Sequence, residues 1–245
     1  MSQKLSWMNA SALSVAALFG LLAISGCQYA ATGHNIEGKK LYGQGQYGLA
    51  LQRFQQAIAA NPDDANAYYN MGAAYHQLGR QTQNQAYLSQ AENLYLQALQ
   101  RNPVHVDSYR GRAVLMAETG RKQQAAEMLQ GWVMQNQQSA DARVELARFY
   151  QEQGDAQNAR IQLEQAVQLD PNNTRALNAL GYVREQAGDY SQAMLNYQRS
   201  LALDGTQPDV SSRVAQLQQA TGGYVTPPPT NAARTVNSGF NFPIR

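Results

Sequence analysis

One cysteine, three histidines and a scatter of carboxylates are the residues of this chain that could do chemistry. Cys27 follows Ser25-Gly26, and a thiol is the most nucleophilic side chain near neutral pH. A lone thiol forms neither an internal disulfide nor a Cys-based zinc site. His34, His76 and His105 have no pair at metal-ligand spacing. His34 reads as the replacement of a core aromatic, His76 as the solvent side of a helix, and His105 as the end of a helical unit. Glu145 and Glu152 occupy helix positions where solvation is expected. No glycine-rich phosphate loop follows a strand, and no Gly-x-Ser-x-Gly elbow occurs. No catalytic residue, cofactor or metal is therefore expected, and the chemistry left is that of binding.

The partner is not a nucleic acid. Nineteen Lys and Arg balance seventeen Asp and Glu, for a net charge of +2, whereas phosphate tracking needs a basic stripe. Polarity comes mainly from amides. Near the N-terminus, Lys4 is the one charge before an apolar run, Ala12 to Ile24. That run is shorter than the roughly 20 residues of a membrane span, and it has the layout of a secretory signal peptide over 1–26. Its boundary, Ile24-Ser25-Gly26-Cys27, resembles the lipobox of bacterial lipoproteins. The resemblance implies cleavage before Cys27, acylation of its thiol and amine, and a short linker at 27–30. It also implies a membrane-anchored protein of the cell envelope facing the periplasm. Gln28, where an Asp would favour inner-membrane retention, points to the outer membrane.

What positions any binding residues is a repeat. Glycines recur at 45, 79, 120, 154 and 188 with spacings of 34, 41, 34 and 34, and alanines at 50, 91, 125, 159 and 193 with spacings of 41, 34, 34 and 34. A large apolar residue sits four positions after each alanine, at Phe54, Tyr95, Leu129, Leu163 and Tyr197. Small residues recur at Gly38, Gly72, Ala113, Ala147 and Gly181, where two helices could cross closely. The recurrent glycines suit helix C-caps, and Pro62, Pro103 and Pro171 end the second helix of their units. No stretch alternates long enough for a sheet, so the expected fold is all-α.

The punctuation resembles the tetratricopeptide repeat (TPR). The resemblance covers 31–207 as five units, 31–64, 65–105, 106–139, 140–173 and 174–207, and implies an α-solenoid, a right-handed superhelix of helix pairs. The first-helix aromatic slot holds His34, Tyr68, Tyr109, Arg143 and Leu177. The family's inner-groove positions fall here on Tyr69, Asn70, Ala73, His76 and Gln77, then Arg110 and Val114, then Val144 and Arg148, then Asn178 and Tyr182. One subfamily grips a C-terminal carboxylate with Lys and Asn. Its slots hold Asn35, Lys39, Asn70, Asp107 and Gly111, of which only Asn70 matches, so that mode is not expected.

The seven extra residues of the second unit read as a longer second helix, because seven residues keep facial phase at 3.6 per turn. Residues 208–220 read as a capping helix with Val210, Val214, Leu217 and Ala220 on its buried face. The Pro-, Thr- and Asn-containing stretch 221–245 is expected to be disordered. The combined resemblances imply a non-catalytic scaffold that holds a protein or peptide beside a membrane. Assembly of a type IV or tight-adherence pilus, or of a secretin, is the first expectation. An accessory of cell-wall synthases or hydrolases is the alternative. Metabolic labelling with a fatty-acid analogue should mark the chain, and Cys27→Ser should abolish the mark; persistent label in that variant would refute the anchor.

Overall fold

The computed structural model describes residues 30–220. Eleven helices and no strand are found among the described residues, so the all-α expectation holds. Five antiparallel pairs follow one another, and a single helix closes the series. They are α1 (30–43) with α2 (Tyr47–Ala60), α3 (Ala65–Thr82) with α4 (Gln85–Arg101), and α5 (Val106–Glu118) with α6 (Lys122–Gln135). Then come α7 (Ala140–Glu152) with α8 (Ala156–Leu169), α9 (Thr174–Gln186) with α10 (Tyr190–Leu203), and last α11 (Pro208–Ala220). Cys27, the signal-peptide assignment and the 221–245 tail lie outside the described residues.

Local signals set the boundaries. In four hairpins a glycine takes the left-handed conformation, with φ from +75° to +82° at Gly45, Gly120, Gly154 and Gly188. The following N–H returns to a carbonyl five residues back, as in Arg121 N to Met116 O at 2.8 Å, which satisfies the frayed end. The N-termini of α3, α7 and α9 are capped by the side chains of Asp64, Ser139 and Asn173. Each second helix ends on an Asn or Asp with negative φ and ψ between 59° and 102°, at Asn61, Asn102, Asn136, Asp170 and Asp204. Most of these side chains accept the N–H two residues on, as Asp204 does from Thr206 at 2.9 Å. These five residues share the spacing of the recurrent alanines. They act even where Gln137 or Gly205 replaces proline.

Pairs are held by fitting bulk to a gap. Gly72 faces Tyr95, and Gly181 faces Tyr197; a methyl added at Gly181 would sit 2.6 Å from the Tyr197 ring. Where the first helix carries Ala113 or Ala147, the second carries the smaller Leu129 or Leu163, in shared clusters. Each cluster joins one pair to the first helix of the next. Leu129 and Trp132 of α6 pack with Ala113 of α5 and with Leu146 and Phe149 of α7. Trp132 stands where other units have Ala or Ser, and it stacks on Tyr109 at 4.0 Å.

Two expectations about the second unit need correction. The insertion is helical, but it is shared: relative to the other pairs α3 gains five residues, α4 gains three, and the turn loses one. Gly79 is consequently not a C-cap. It lies inside α3 against Leu88, and the left-handed turn residue is Gln83, at φ 54°. At the far end, Val210 and Leu217 of α11 are buried against α10 with Val214 partly so, whereas Ala220 is exposed. No described helix is long and apolar enough to cross a membrane.

The packing rule is testable with two alanines. Gly181→Ala should destabilise by about 1–3 kcal/mol, because the ring of Tyr197 must give way. Gly131→Ala, in an α6 position with nothing within 4 Å of the added methyl, should stabilise by up to about 1 kcal/mol. Chemical denaturation followed by circular dichroism reads both.

Candidate functional site

Side by side, α1, α3, α5, α7 and α9 make a surface with two clefts. The first, of about 740 Å3, lies between α1, α3 and α5 and is lined by Asn35, Lys39, Tyr42, Tyr69, Asn70 and Asp107, among others. Ala73 also reaches it. Asn70 Nδ2 donates to Asn35 Oδ1 at 2.8 Å, and Asn35 Nδ2 reaches Asp64 Oδ2 at 3.4 Å, so amides run across the wall in a chain. Lys39 is exposed and has no ion pair among the described residues. The Tyr69 ring lies 5.8 Å from Tyr95 and 5.6 Å from His105, and burial pushes its hydroxyl above the usual range.

The second cleft, of about 440 Å3, gathers Arg110, Val144, Arg148, Asn178 and Tyr182 with Arg213 from α11. Val114 lines a small recess between Arg110 and Arg148. Glu145 forms its floor. It was expected to be solvated, yet it is 3% exposed, because two arginines from the adjoining units neutralise it. Arg110 Nε donates to Glu145 Oε2 at 2.8 Å, and Arg175 bonds Glu145 Oε1. Arg110 also holds Asp107 at 2.8 Å, and Arg175 holds Asp141 at 3.1 Å. The bond to Glu145 drives the Arg110 pKa still higher than usual. Arg148 pairs with Glu152, and Arg213 with Glu185. The arginines of this cleft are therefore held by acids within the protein. Tyr182 remains 39% exposed, with Arg213 5.0 Å from its ring centre.

His76 and Gln77 line neither cleft. His76 was expected to face solvent but is 7% exposed. Its Nε2 lies 2.8 Å from Glu118 Oε2 and its Nδ1 3.3 Å from the Tyr95 hydroxyl, so it ties α3 to α4 and α5. His105, also buried, caps α5. Its Nδ1 accepts the Ser108 N–H at 3.2 Å, while Nε2 stands 3.2 Å from Asn66 Oδ1. That pattern fixes the proton on Nε2. His34 is half-buried. No group of three or more His, Cys, Asp or Glu that could hold a metal occurs among the described residues.

Sequence reasoning missed the shared carboxylate of Glu145 and the contribution of Arg213. The available signal was the run of position-two residues Asn66, Asp107, Asp141 and Arg175, in which an arginine follows an acid at the repeat spacing.

This architecture defines a class, the helix-pair repeat arrays that bind through one face. Family models of the repeat match in three places. The "TPR repeat" matches over 38–79, and the "tetratricopeptide repeat" over 83–143 and 138–205. The chain is a TPR protein. Among solved structures it is similar to a thermophilic TPR protein of Thermus thermophilus, with a TM-score of 0.58 and 22% identity, covering 78% of this chain and 100% of that one. It is also similar to the pilF protein of Pseudomonas aeruginosa, with a TM-score of 0.51 and 14% identity, covering 81% and 87%. Both likenesses concern the fold. A Haemophilus influenzae protein described as uncharacterized is 36% identical over 77 residues, 31% of this chain and 43% of that protein. The chain thus spans less than half the length of that curated relative.

Burial holds the His105 pKa below its usual value of 6.5, against the opposing pull of Asp107 and Asp64. Protonating Nδ1 would set two N–H groups against each other at the α5 cap. A folded-state pKa below the unfolded one gives stability that is full above about pH 6.5 and is lost as pH falls through the folded value. Thermal midpoints measured between pH 7.5 and 5 should show this fall, and His105→Asn, which keeps a cap acceptor, should flatten it.

Proposed function

We propose that this protein is a lipid-anchored scaffold of the bacterial envelope that holds a segment of a partner protein in the face made by α1, α3, α5, α7 and α9. TPR arrays are in general binding scaffolds, and the first cleft carries the reading. It is the larger of the two clefts on that face, and it offers amides, tyrosine rings and a lysine with no ion pair among the described residues rather than an acid–base pair. Asn side chains present both a donor and an acceptor, which suits the main chain of an extended peptide. Tyr adds broad contact area at low entropic cost. The second cleft, with its arginines held by acids, supplies shape more than free charge. Partners that differ in net charge would distinguish the two.

The envelope role rests on the lipobox-like Ile24-Ser25-Gly26-Cys27 a few residues before α1. If Cys27 carries lipid, the first cleft lies close to the membrane and faces the periplasm. Assembly of a pilus or secretin is the reading that joins a binding array to such a tether.

Arg110 and Tyr69 are poor probes of binding, since both are committed to packing or to Glu145. Lys39→Glu and Tyr182→Ala change exposed groups, one in each cleft. Crosslinking in intact cells, followed by detergent pull-down, should recover a pilus or secretin subunit with the native chain, and Lys39→Glu should reduce recovery about tenfold, near 1.4 kcal/mol. Recovery unchanged in both variants would refute the groove, and recovery of cell-wall enzymes alone would refute the machine.

A further inference from the structure

A third cavity, of about 290 Å3, lies between α8, α9 and α10 and shares no residue with either cleft. Its α9 residues, Leu180 and Arg184, point to the side of that helix opposite Asn178 and Tyr182, as 100° per residue requires. Buried in its wall is Asn196, 3% exposed, whose Nδ2 has no hydrogen-bond partner among the described residues.

The preceding unit shows what is different here. Thirty-four residues earlier the same slot holds Gln162, whose Oε1 receives Arg143 Nη1 at 3.4 Å. In the last unit the slot of Arg143 is occupied by Leu177, which is fully buried, and the amide has lost its polar neighbour. In the second unit the slot is Leu94, which needs none. A buried N–H without an acceptor costs about 1–3 kcal/mol. Asn196 is therefore a donor held at the cavity with no acceptor among the described residues.

The surroundings describe what it would receive. Leu180, Val167 and Leu195 give an apolar wall, and Arg184 and Arg199 outnumber the one acid, Glu164. Arg184 is held by Glu164 at 3.2 Å and Gln192 at 3.4 Å, and Arg199 by the Pro171 carbonyl at 3.1 Å. Each guanidinium has five N–H groups, so both keep donors to spare. The cavity is near the lower end of small-ligand sites, about 300 Å3. We infer that this cavity binds a carboxylate carried beside a short aliphatic group, with Asn196 and Arg199 as its donors and Leu180 against the aliphatic part. A polypeptide's C-terminal residue and a free acyl amino acid both present that chemistry. The inference does not depend on the groove.

The test is a titration of the full 15N-labelled chain in detergent, following the side-chain NH2 signals of Asn196. N-acetyl-leucine, its uncharged amide, and an acetylated pentapeptide ending in free leucine are the probes. Saturable shifts are expected with the acid and the pentapeptide, and at least about tenfold weaker with the amide. Tighter binding of the pentapeptide assigns the site to polypeptide ends, and equal binding assigns it to free acids. Asn196→Leu, the residue of the second unit, should abolish binding while keeping or raising the thermal midpoint. Arg199→Gln, at an exposed position, should weaken binding about tenfold with the fold intact by circular dichroism. No saturable shift at millimolar acid, equal response to acid and amide, or unchanged binding in both variants would overturn the site. So would an Asn196 signal that moves on deletion of residues 221–245, since the cavity's occupant would then be the chain itself.

Discussion

Every pair in this protein rests on the close approach of a small residue in its first helix to a bulky one in its second. The interaction is steric, so it tolerates little variation: glycine admits the ring of Phe54, Tyr95 or Tyr197, and alanine admits the narrower Leu129 or Leu163. Tyr95 is approached from two sides, since methyls at Gly72 and Gly111 would each come within 3 Å of its ring. One ring thereby sets the spacing within its own pair and to the next. The elongated hairpin obeys the same rule. Moving seven residues up α3 and seven down α4 from Gly72 and Tyr95 reaches Gly79 and Leu88, which meet as the second close contact of that pair. The longer pair is the ordinary pair with its contact repeated two turns further out.

The groove inherits its geometry from this packing. Because the first helices are held at a fixed distance by the side chains behind them, residues at nearby positions in successive units come within reach across 30 to 42 positions of sequence. Asn35 meets Asn70, His76 meets Glu118, and Glu145 meets both Arg110 and Arg175. These contacts consume much of the polar chemistry on the face. What remains free is concentrated toward α1, where amides and Lys39 line the larger cleft.

That division explains what could be read in the sequence. The small-and-bulky registers, the turn glycines and the period are local or strictly periodic, and they give the helices and their pairing directly. The Asn and Asp helix ends were equally periodic but were masked by the more familiar proline. Gly79 carried the period yet not the role, since nothing in a linear sequence says how an insertion divides between two helices. Glu145 and His76 were misjudged for a different reason. Burial of a polar group depends on which partner the neighbouring unit brings to it, and here those partners lie 35, 30 and 42 residues away.

The shared carboxylate of Glu145 has a consequence for how the array comes apart. Solenoids usually unravel unit by unit, because each touches only its neighbours. Here one anion is clasped from both sides, so releasing Arg110 leaves Glu145 to Arg175 alone and alters the energy of a unit it does not touch. The third, fourth and fifth units are thereby coupled through one buried carboxylate, and the second is joined to the third by Glu92, which both Arg112 and Arg121 reach.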